Sequence, residues 1–436
     1  MEKGLIAVDR WTGGSQIYFL THLHSDHTKG LSSSWSKGPI FCSRLTAKIF
    51  PSKFPCFNLS LLRVLEIGSW HSIPVHSPST GLETSVEVMP IDAHHCPGAV
   101  MFLFRGEFGC LLYTGDFRWE TTNERAKIGM AMLLNAVDDV SVDLLYLDNT
   151  YCNPSYDFPP REVAAQQIVD IIASHPDHDI IIGIDSLGKE DLLLHISHVL
   201  KIKIWVWPER LETMHLLGYH DIFTTKTSLA RVRAVPRYSF SIETLEGLNA
   251  MRPTIGIMPS GMPWVLKPYA TNKNLSGSSV TPHYNKCNKT GNEGIWTDRP
   301  NGNLESVERF HKYMFSVSYS DHSCFSEIEQ FIKLVKPINV KGIVSSSSYY
   351  ADPLYYFGRL CGVNQPAKRL HKKYEYEEGD ETTPRKKSNF GSSNITSVRK
   401  GGRNLKVKYL GAQVSRVNTY RRVRCGAKIV EYEHLD

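Results

Sequence analysis

The segment FLTHLHSDHTKG, residues 19–30, restricts the possible folds of this chain more than any other feature. Within six positions, directly after an apolar run, it places four groups that bind metals, namely His22, His24, Asp26 and His27. If a strand ends at Leu20 and the chain then turns, the first two imidazoles project to one side. The other two groups can then face a second cation. These nitrogen and oxygen donors suit Zn²⁺, Mn²⁺ or Fe, and the absence of cysteine from the segment disfavours a closed structural zinc site. We therefore predict an open, hydrolytic metal site at the end of a strand.

Later parts of the chain offer further ligands. One ion needs more donors than this segment supplies, and short apolar runs precede His95, Asp116 and His322. Asp116 could bridge two ions, and two ions about 3.5 to 4 Å apart clamp the attacking and leaving oxygens of a phosphodiester. For His322 taken alone, a hydrogen-bonded residue without metal is the alternative. The pattern predicts hydrolysis without a covalent nucleophile.

The pattern of apolar residues divides the chain. Up to residue 150, short apolar runs end in polar turns, which is typical of buried strands. Helical and strand patterns alternate from 151 to about 260 and predict an α/β segment with an open parallel sheet. Residues 267–305 are polar, so we predict a long flexible insertion there. A strand, a loop, a helix and a last strand follow within 316–365.

The positive charge lies at one end of the chain. With 436 residues, 41% of them hydrophobic, the chain can form about two or three domains. Residues 366–436 contain 17 Lys or Arg against 8 Asp or Glu, whereas the rest carries a net charge of −3. Such a basic tail can hold phosphate polyanions or act as a nuclear import signal. The alternative is a disordered extension with no dedicated partner.

The sequence also bears on the cellular compartment. Its apolar runs are far shorter than the roughly 20 residues that span a bilayer. Charges interrupt the N-terminal MEKGLIAVDRW too early for a signal sequence. The nine cysteines contain no C-x-x-C pair, which predicts reduced thiols. We expect the cytosol or the nucleus, and no membrane partner.

Six motifs follow one another along the chain: THLHSDH, DAHHCPGAVMFLF, YTGDFR, YLDNTYCNP, SLGKE and YSDHSCFSE. This ordered series resembles the metallo-β-lactamase/β-CASP DNA nucleases, the Apollo/Artemis group, and is most similar to the 5′ exonucleases among them. The resemblance covers residues 1 to about 350. It implies a four-layer αββα sandwich built from 1–150 and 316–365, with an α/β β-CASP domain inserted at 151–315 and a basic, disordered tail at 366–436.

The resemblance also implies roles for single residues. The first metal site would consist of His22, His24, His95 and Asp116. The second metal site would consist of Asp26, His27, Asp116 and His322. Asp26, which would position or deprotonate the attacking water, and His322 are the predicted catalytic residues. His95 is chosen over His94 because the family histidine immediately precedes Cys-Pro-Gly. Asp9 and Asp148 would orient ligands without binding metal, with strand-end capping as the alternative for Asp9.

A Gly-Lys pair in GIDSLGKED lies at a predicted strand-to-helix junction, where backbone N–H groups can receive a phosphate. The resemblance implies that Ser186 and Lys189 contribute to a pocket for the 5′-phosphate of a DNA end. Asp185 departs from the tyrosine that is frequent in the family, and Glu190 is a predicted salt-bridge residue. Val344 stands where RNA-processing relatives carry a histidine, which favours the DNA branch.

The implied function is a nuclear, metal-dependent 5′–3′ DNA exonuclease that trims 5′-phosphorylated ends. Its cofactors would be one or two divalent ions, Zn²⁺ first, with Mn²⁺ or Mg²⁺ as alternatives. Its partners would be single-stranded or frayed DNA 5′ ends and proteins of DNA repair or telomere maintenance, in crosslink or double-strand break processing. Alternatives are an Artemis-like structure-specific endonuclease, an RNA endonuclease and an inactive DNA-end scaffold. A hydrolase of small thioesters or lactams is disfavoured, because the inserted domain would cover its pocket.

Overall fold

A computed structural model describes residues 4–77, 80–137, 141–261, 307–344, 352–362 and 427–429. Strands within these ranges form sheets of five, six and seven strands. No helix in the described ranges is both long and apolar enough to cross a bilayer. The predicted flexible insertion at 267–305 and most of the predicted tail lie outside the described residues.

The first sheet contains the strand that precedes the histidine-rich segment. In spatial order it consists of β18 (Ala427–Ile429), β1 (Gly4–Val8), β2 (Ser15–Phe19), β3 (Ile40–Ser43) and β4 (Leu62–Leu65). Strands β1 to β4 are parallel, and β18 pairs antiparallel with β1. Because β18 completes an edge of this sheet, the prediction of a disordered tail is wrong for residues 427–429.

The second sheet packs face to face on the first. In spatial order it consists of β17 (Asn339–Gly342), β9 (Leu144–Leu147), β8 (Gly109–Tyr113), β7 (Val100–Gly106), β6 (Glu83–Asp92) and β5 (His71–His76). On β7, Phe102 and Phe104 face Phe19 of the first sheet, whereas Met101 and Leu103 point to the opposite face. Burial on both faces explains why β7 is a continuous apolar run without alternation.

Helices cover the outer faces of the two sheets. They are α1 (Arg44–Lys53), α2 (Glu124–Val137), α7 (Phe325–Val335) and α8 (Pro353–Phe357). Ile49 and Phe50 of α1 pack on the first sheet, and Leu133 of α2 and Phe331 of α7 pack on the second. The order helix, sheet, sheet, helix confirms the predicted αββα sandwich.

The third sheet belongs to the middle of the chain. In spatial order it consists of β12 (Phe223–Thr224), β11 (Ile204–Trp205), β13 (Val232–Pro236), β10 (Asp179–Ile184), β14 (Thr254–Pro259), β16 (Met314–Val317) and β15 (Val307–His311). All neighbours pair in parallel except β15 and β16. The predicted open parallel sheet is confirmed. Its strand β16 extends to Val317, so the predicted domain boundary after residue 315 falls inside a strand.

Helices pack on this sheet as the apolar spacing predicts. They are α3 (Arg161–Ala173), α4 (Glu190–Leu200), α5 (Pro208–Leu216) and α6 (Ile242–Asn249). Ile168 of α3 and Leu192 and Ile196 of α4 share a core with Ile182 of β10. Since parallel strands end at the same edge of a sheet, the loops after β10 and β16 leave this domain together. Both loops reach the strand ends of the sandwich, where the metal-binding residues lie.

Candidate metal centre

Six side chains able to bind a metal meet at the ends of strands. They come from the loops after β2, β6, β8 and β16 and are His22, His24, His27, His95, Asp116 and His322. Five of them are buried and His24 is half-buried. The loops are far apart in sequence, so only the fold brings these donors together.

Asp116 lies between two sets of histidines. Its Oδ2 atom is 3.8 Å from His22 Nε2, 3.6 Å from His95 Nε2 and 3.9 Å from His322 Nε2. Its Oδ1 atom is 3.1 Å from His27 Nε2. The two oxygens of one carboxylate therefore face different donors, which is the arrangement that a bridging ligand needs.

The spacing of the donor atoms fits a divalent ion. His24 Nδ1 lies 3.0 Å from His22 Nε2 and 3.1 Å from His95 Nε2. Donors of a tetrahedral ion with Zn–N bonds of 2.0 to 2.1 Å are about 3.3 Å apart. The buried Nε2 of His27 faces Asp116 Oδ1 at 3.1 Å. The distances from His24 Nδ1 to His22 Nε2 and His95 Nε2 are therefore close to those between two ligands of one ion.

Two backbone carbonyls fix the orientation of two histidines. Leu187 O is 2.9 Å from His24 Nε2, and Asp321 O is 2.8 Å from His95 Nδ1. Because a carbonyl only accepts, the nitrogen facing it carries the proton. His24 Nδ1 and His95 Nε2 consequently present lone pairs to the centre, as metal ligands with a hydrogen-bonded second nitrogen do.

Side chains hold the other histidines in the same way. Asp9 Oδ2 is 2.7 Å from His27 Nδ1, and Asp148 Oδ2 is 2.7 Å from His322 Nδ1. The Thr21 hydroxyl donates to Asp9 Oδ2 at 2.7 Å and can therefore accept from His22 Nδ1 at 3.0 Å. Asp9 and Asp148 thus contact the far nitrogens of the histidines, where they can orient these rings.

Burial and neighbouring charges set the protonation of the histidines. Burial, followed by the neighbouring imidazoles, lowers the pKa of His22 well below its usual value. Burial and His322 do the same to the pKa of His95. Burial also lowers the pKa of His27, but attraction by Asp116, Asp9 and Asp26 outweighs it and raises that pKa to about 10. His22 and His95 are therefore neutral, which is the form that binds metal.

Asp26 and His94 lie at the margin of this centre. Asp26 is half-buried and is not part of the groups of described residues whose donor atoms lie within 4.8 Å of one another. Its charge nevertheless acts on His27 and Lys53. His94 Nε2 is 4.0 Å from Asp92 Oδ1, and His94 has a left-handed φ of 53°. His95, not His94, belongs to the cluster.

The loop predicted to bind phosphate has partners of its own. The Lys189 ammonium is 2.5 Å from Asp321 Oδ2, and Gly188 N donates to Glu190 Oε1 at 3.0 Å. Buried Arg210 pairs with Glu190 at 2.7 Å, so the predicted salt bridge of Glu190 is confirmed. The Ser186 side chain is exposed, and its carbonyl accepts from Arg210. A phosphate pocket at Ser186 and Lys189 stays a prediction.

The structure adds residues to this site that we did not predict. Cys96 joins the donor group of His22, His24 and His95. Arg118 is buried and donates to Ser320 O at 2.9 Å, joining the Asp116 loop to the His322 loop. Within the quoted motifs, Cys96 directly follows His95, and Arg118 comes two positions after Asp116. The motifs therefore indicated that both residues lie close to the site. They did not indicate the contacts of Cys96 with the histidines or of Arg118 with Ser320.

The charge of Lys53, which lies close to the metal centre, depends on pH. At the end of α1, its ammonium donates to Leu23 O at 2.5 Å. Burial lowers its pKa to about 8, against the opposing charges of Asp26 and Cys96. Between pH 8 and 10.5 the unfolded chain keeps a proton on this lysine that the folded protein has lost, so stability increases with pH in that window.

We expect the free energy of unfolding of the wild type, relative to Lys53→Met, to increase by about 2 kcal/mol across this window, allowing for residual solvent access. Urea unfolding of both proteins at a series of pH values measures the difference. Titrations elsewhere cancel in the comparison. If this difference in the free energy of unfolding is constant, or decreases as the pH rises, the Lys53 ammonium is not buried as described.

Comparison with known proteins finds similar sequences. The DNA repair metallo-β-lactamase family matches residues 219–348. The chain is 37% identical over 351 residues to 5′ exonuclease Apollo of Gallus gallus, covering 80% of this chain and 63% of that protein. Residues 219–348 thus carry the DNA repair metallo-β-lactamase domain. The family predicted from the motifs is thereby confirmed.

Other relatives of the family show similar coverage. 5′ exonuclease Apollo of Danio rerio is 37% identical over 353 residues, covering 80% of this chain and 52% of that protein. DNA cross-link repair protein SNM1 of Arabidopsis thaliana is 29% identical over 346 residues, covering 77% of this chain and 62% of that protein. The chain thus spans between half and two thirds of the length of these relatives.

Proposed function

We propose that this chain is a metal-dependent 5′–3′ exonuclease that hydrolyses phosphodiesters from 5′-phosphorylated DNA ends in DNA repair. The observation that carries the proposal is the Asp116 carboxylate, whose two oxygens face His22 and His95 on one side and His27 on the other. Relatives named 5′ exonuclease Apollo and DNA cross-link repair protein support the choice of DNA as the substrate.

Two divalent ions fit the described donors. His22, His24, His95 and Asp116 Oδ2 would form the first metal site. His27, His322, Asp116 and Asp26 would form the second metal site. Divalent ions, which we propose to be Zn²⁺ with Mn²⁺ or Mg²⁺ as alternatives, supply Lewis-acid stabilisation of the phosphoryl group and lower the pKa of water.

The protein's own residues would orient the reaction. Asp26 lies half-buried in the histidine-rich loop, where it can position or deprotonate the attacking water. Asp148 holds Nδ1 of His322 and so directs its Nε2 toward Asp116, within 3.9 Å of Oδ2. The His322 side chain keeps 11% of its surface accessible. Geometry fixed before binding lowers the cost of reaching the transition state.

We propose separate roles for the sandwich, the inserted domain and the tail. The sandwich of 1–150 and 316–365 would carry the ligands, and the inserted domain at 151–315 would close over them. Residues 366–436, with 17 Lys or Arg, would hold the DNA backbone electrostatically. We propose a nuclear location, DNA ends as substrate and repair or telomere proteins as partners.

An assay with labelled oligonucleotides tests the activity. Purified protein is incubated with divalent metal and single-stranded DNA that carries a 3′ label and either a 5′-phosphate or a 5′-hydroxyl. We expect stepwise shortening from the 5′ end, faster with the phosphate, that stops with chelator and returns with metal. Matched hairpin DNA and RNA substrates are tested in parallel. Internal cuts or hairpin opening would indicate an endonuclease, and cleavage of RNA but not DNA would indicate an RNA enzyme. Binding without cleavage would indicate a scaffold.

A further inference from the structure

The loop at residues 185–190, between β10 and α4, reaches two of the ligands in the first metal site. It belongs to the inserted domain, whereas His24 and His95 belong to the sandwich. We propose that this loop is a positioning element for metal binding: Lys189 orients His95 through Asp321, and the Leu187 carbonyl orients His24. The inference rests on the proposed function, because it assigns the first metal site to these ligands.

The path from Lys189 to His95 consists of two short contacts. Lys189 Nζ donates to Asp321 Oδ2 at 2.5 Å, and the carbonyl of Asp321 accepts from His95 Nδ1 at 2.8 Å. Only 9% of the Lys189 side chain and 11% of the Asp321 side chain are exposed. A pair this well buried holds one geometry, so the backbone of Asp321, and with it the ring of His95, is fixed by the lysine.

The second contact comes from the backbone of the same loop. Leu187 is buried, and its carbonyl lies 2.9 Å from His24 Nε2. The carbonyls on either side, those of Ser186 and Gly188, both accept from the buried guanidinium of Arg210. Because Arg210 holds the carbonyls of Ser186 and Gly188, the Leu187 carbonyl between them points toward His24 and accepts a hydrogen bond from its Nε2.

The turn after Leu187 depends on its backbone conformation. Gly188 has a φ of 101° and Lys189 a φ of 63°, both in the left-handed region. A side chain at position 188 would be strained at this φ. A substitution at position 188 should therefore displace both Leu187 and Lys189, and with them their contacts to His24 and Asp321.

The described partners assign the Lys189 ammonium to Asp321 and the Gly188 N–H to Glu190. Two carboxylates thus occupy donors that a DNA phosphate would use. A positioning role predicts that loss of Lys189 weakens metal binding. A direct phosphate contact predicts instead that loss of Lys189 reduces the preference for 5′-phosphate.

The test compares Lys189→Met and Lys189→Arg with the wild type in the full chain. Competition with a chromophoric chelator measures the dissociation constant for Zn²⁺, and visible absorption of the Co²⁺-loaded protein reports ligand geometry. We expect Lys189→Met to weaken binding of one ion by about 10- to 100-fold, as loss of outer hydrogen-bond partners does. Its Co²⁺ spectrum should change, and Lys189→Arg should recover most of the affinity.

Arg233→Met is the matched control. Arg233 pairs with Asp179 at 3.2 Å in the same domain, and Asp179 keeps Arg252 as a second partner at 3.7 Å. We expect this variant to bind Zn²⁺ like the wild type. Thermal unfolding of each variant separates a local effect from loss of fold. Gly188→Ala gives a second route to the same result, since it shifts the loop without removing the lysine.

Two outcomes would overturn the inference: a Zn²⁺ dissociation constant unchanged in a folded Lys189→Met protein, or one weakened equally in Arg233→Met. An unchanged constant together with a lost preference for 5′-phosphate would assign Lys189 to the substrate. Because metal binding is measured without DNA, a wrong nuclease assignment would leave the expected Zn²⁺ result intact. The two proposals can therefore fail separately.

Discussion

Asp116→Asn should reduce cleavage of 5′-phosphorylated DNA by about 1000-fold or more, equivalent to about 4 kcal/mol of transition-state stabilisation. Asparagine has the same size as aspartate but carries no negative charge. Its amide nitrogen can neither accept a hydrogen bond nor bind a metal ion. One of the two oxygens that face His22, His95 and His27 is thereby lost. Measurement of kcat/KM with the 3′-labelled substrate gives the effect.

Metal content provides a second readout for the same variant. If Asp116 bridges two sites, Asp116→Asn should retain fewer ions per chain than the wild type after dialysis, as measured by elemental analysis. Asp143→Asn is the control, since Asp143 accepts from Cys110 N at 2.7 Å and has no described contact with the histidine cluster. Full metal content and wild-type cleavage in Asp116→Asn would contradict a bridging role.

Arg118→Met should destabilise the protein by about 3 to 5 kcal/mol, the usual cost of removing one partner from a buried ion pair. Arg118 is 1% exposed and lies 2.8 Å from Glu327 Oε2. It also donates to Ser320 O at 2.9 Å and to Pro159 O at 3.3 Å. Methionine fills part of the volume but leaves a carboxylate and two carbonyls without this donor. Urea unfolding of the variant and the wild type measures the difference.

Two further variants test whether the expected loss of stability is specific to the buried pair of Arg118 and Glu327. Lys333→Met removes the exposed pair with Glu329, 2.8 Å apart on α7, and should cost less than about 1 kcal/mol. Arg118→Met combined with Glu327→Gln should recover part of the loss, because the buried charge is then removed as well. A cost for Arg118→Met no larger than that for Lys333→Met would show that Arg118 does not join the two loops.

The strands of the sandwich could be predicted because they are buried. Runs such as AVMFLF are apolar on both faces, since Phe102 contacts the first sheet while Met101 and Leu103 face the helices. Ligand-type residues after such runs then indicate one edge of a sheet. The helix α1 was not predicted, because Pro51 lies inside it and normally ends a helical pattern.

The contacts that orient the ligands could not be predicted from the types of residues in the sequence. Leu187 and Asp321 act on His24 and His95 through backbone carbonyls, which every residue has. Lys189 in a Gly-Lys motif indicated a phosphate, but its partner Asp321 is 132 positions away along the chain. Spacing within one segment predicts which groups are close together. It does not predict which distant loop folds against them.

Anomalous diffraction from crystals of the metal-loaded protein tests whether one carboxylate joins two metal sites. We predict two anomalous peaks about 3.5 to 4 Å apart, with Asp116 between them. His22, His24 and His95 should surround one peak, and His27 and His322 the other. A single peak bound without Asp116, or peaks remote from these histidines, would contradict the account.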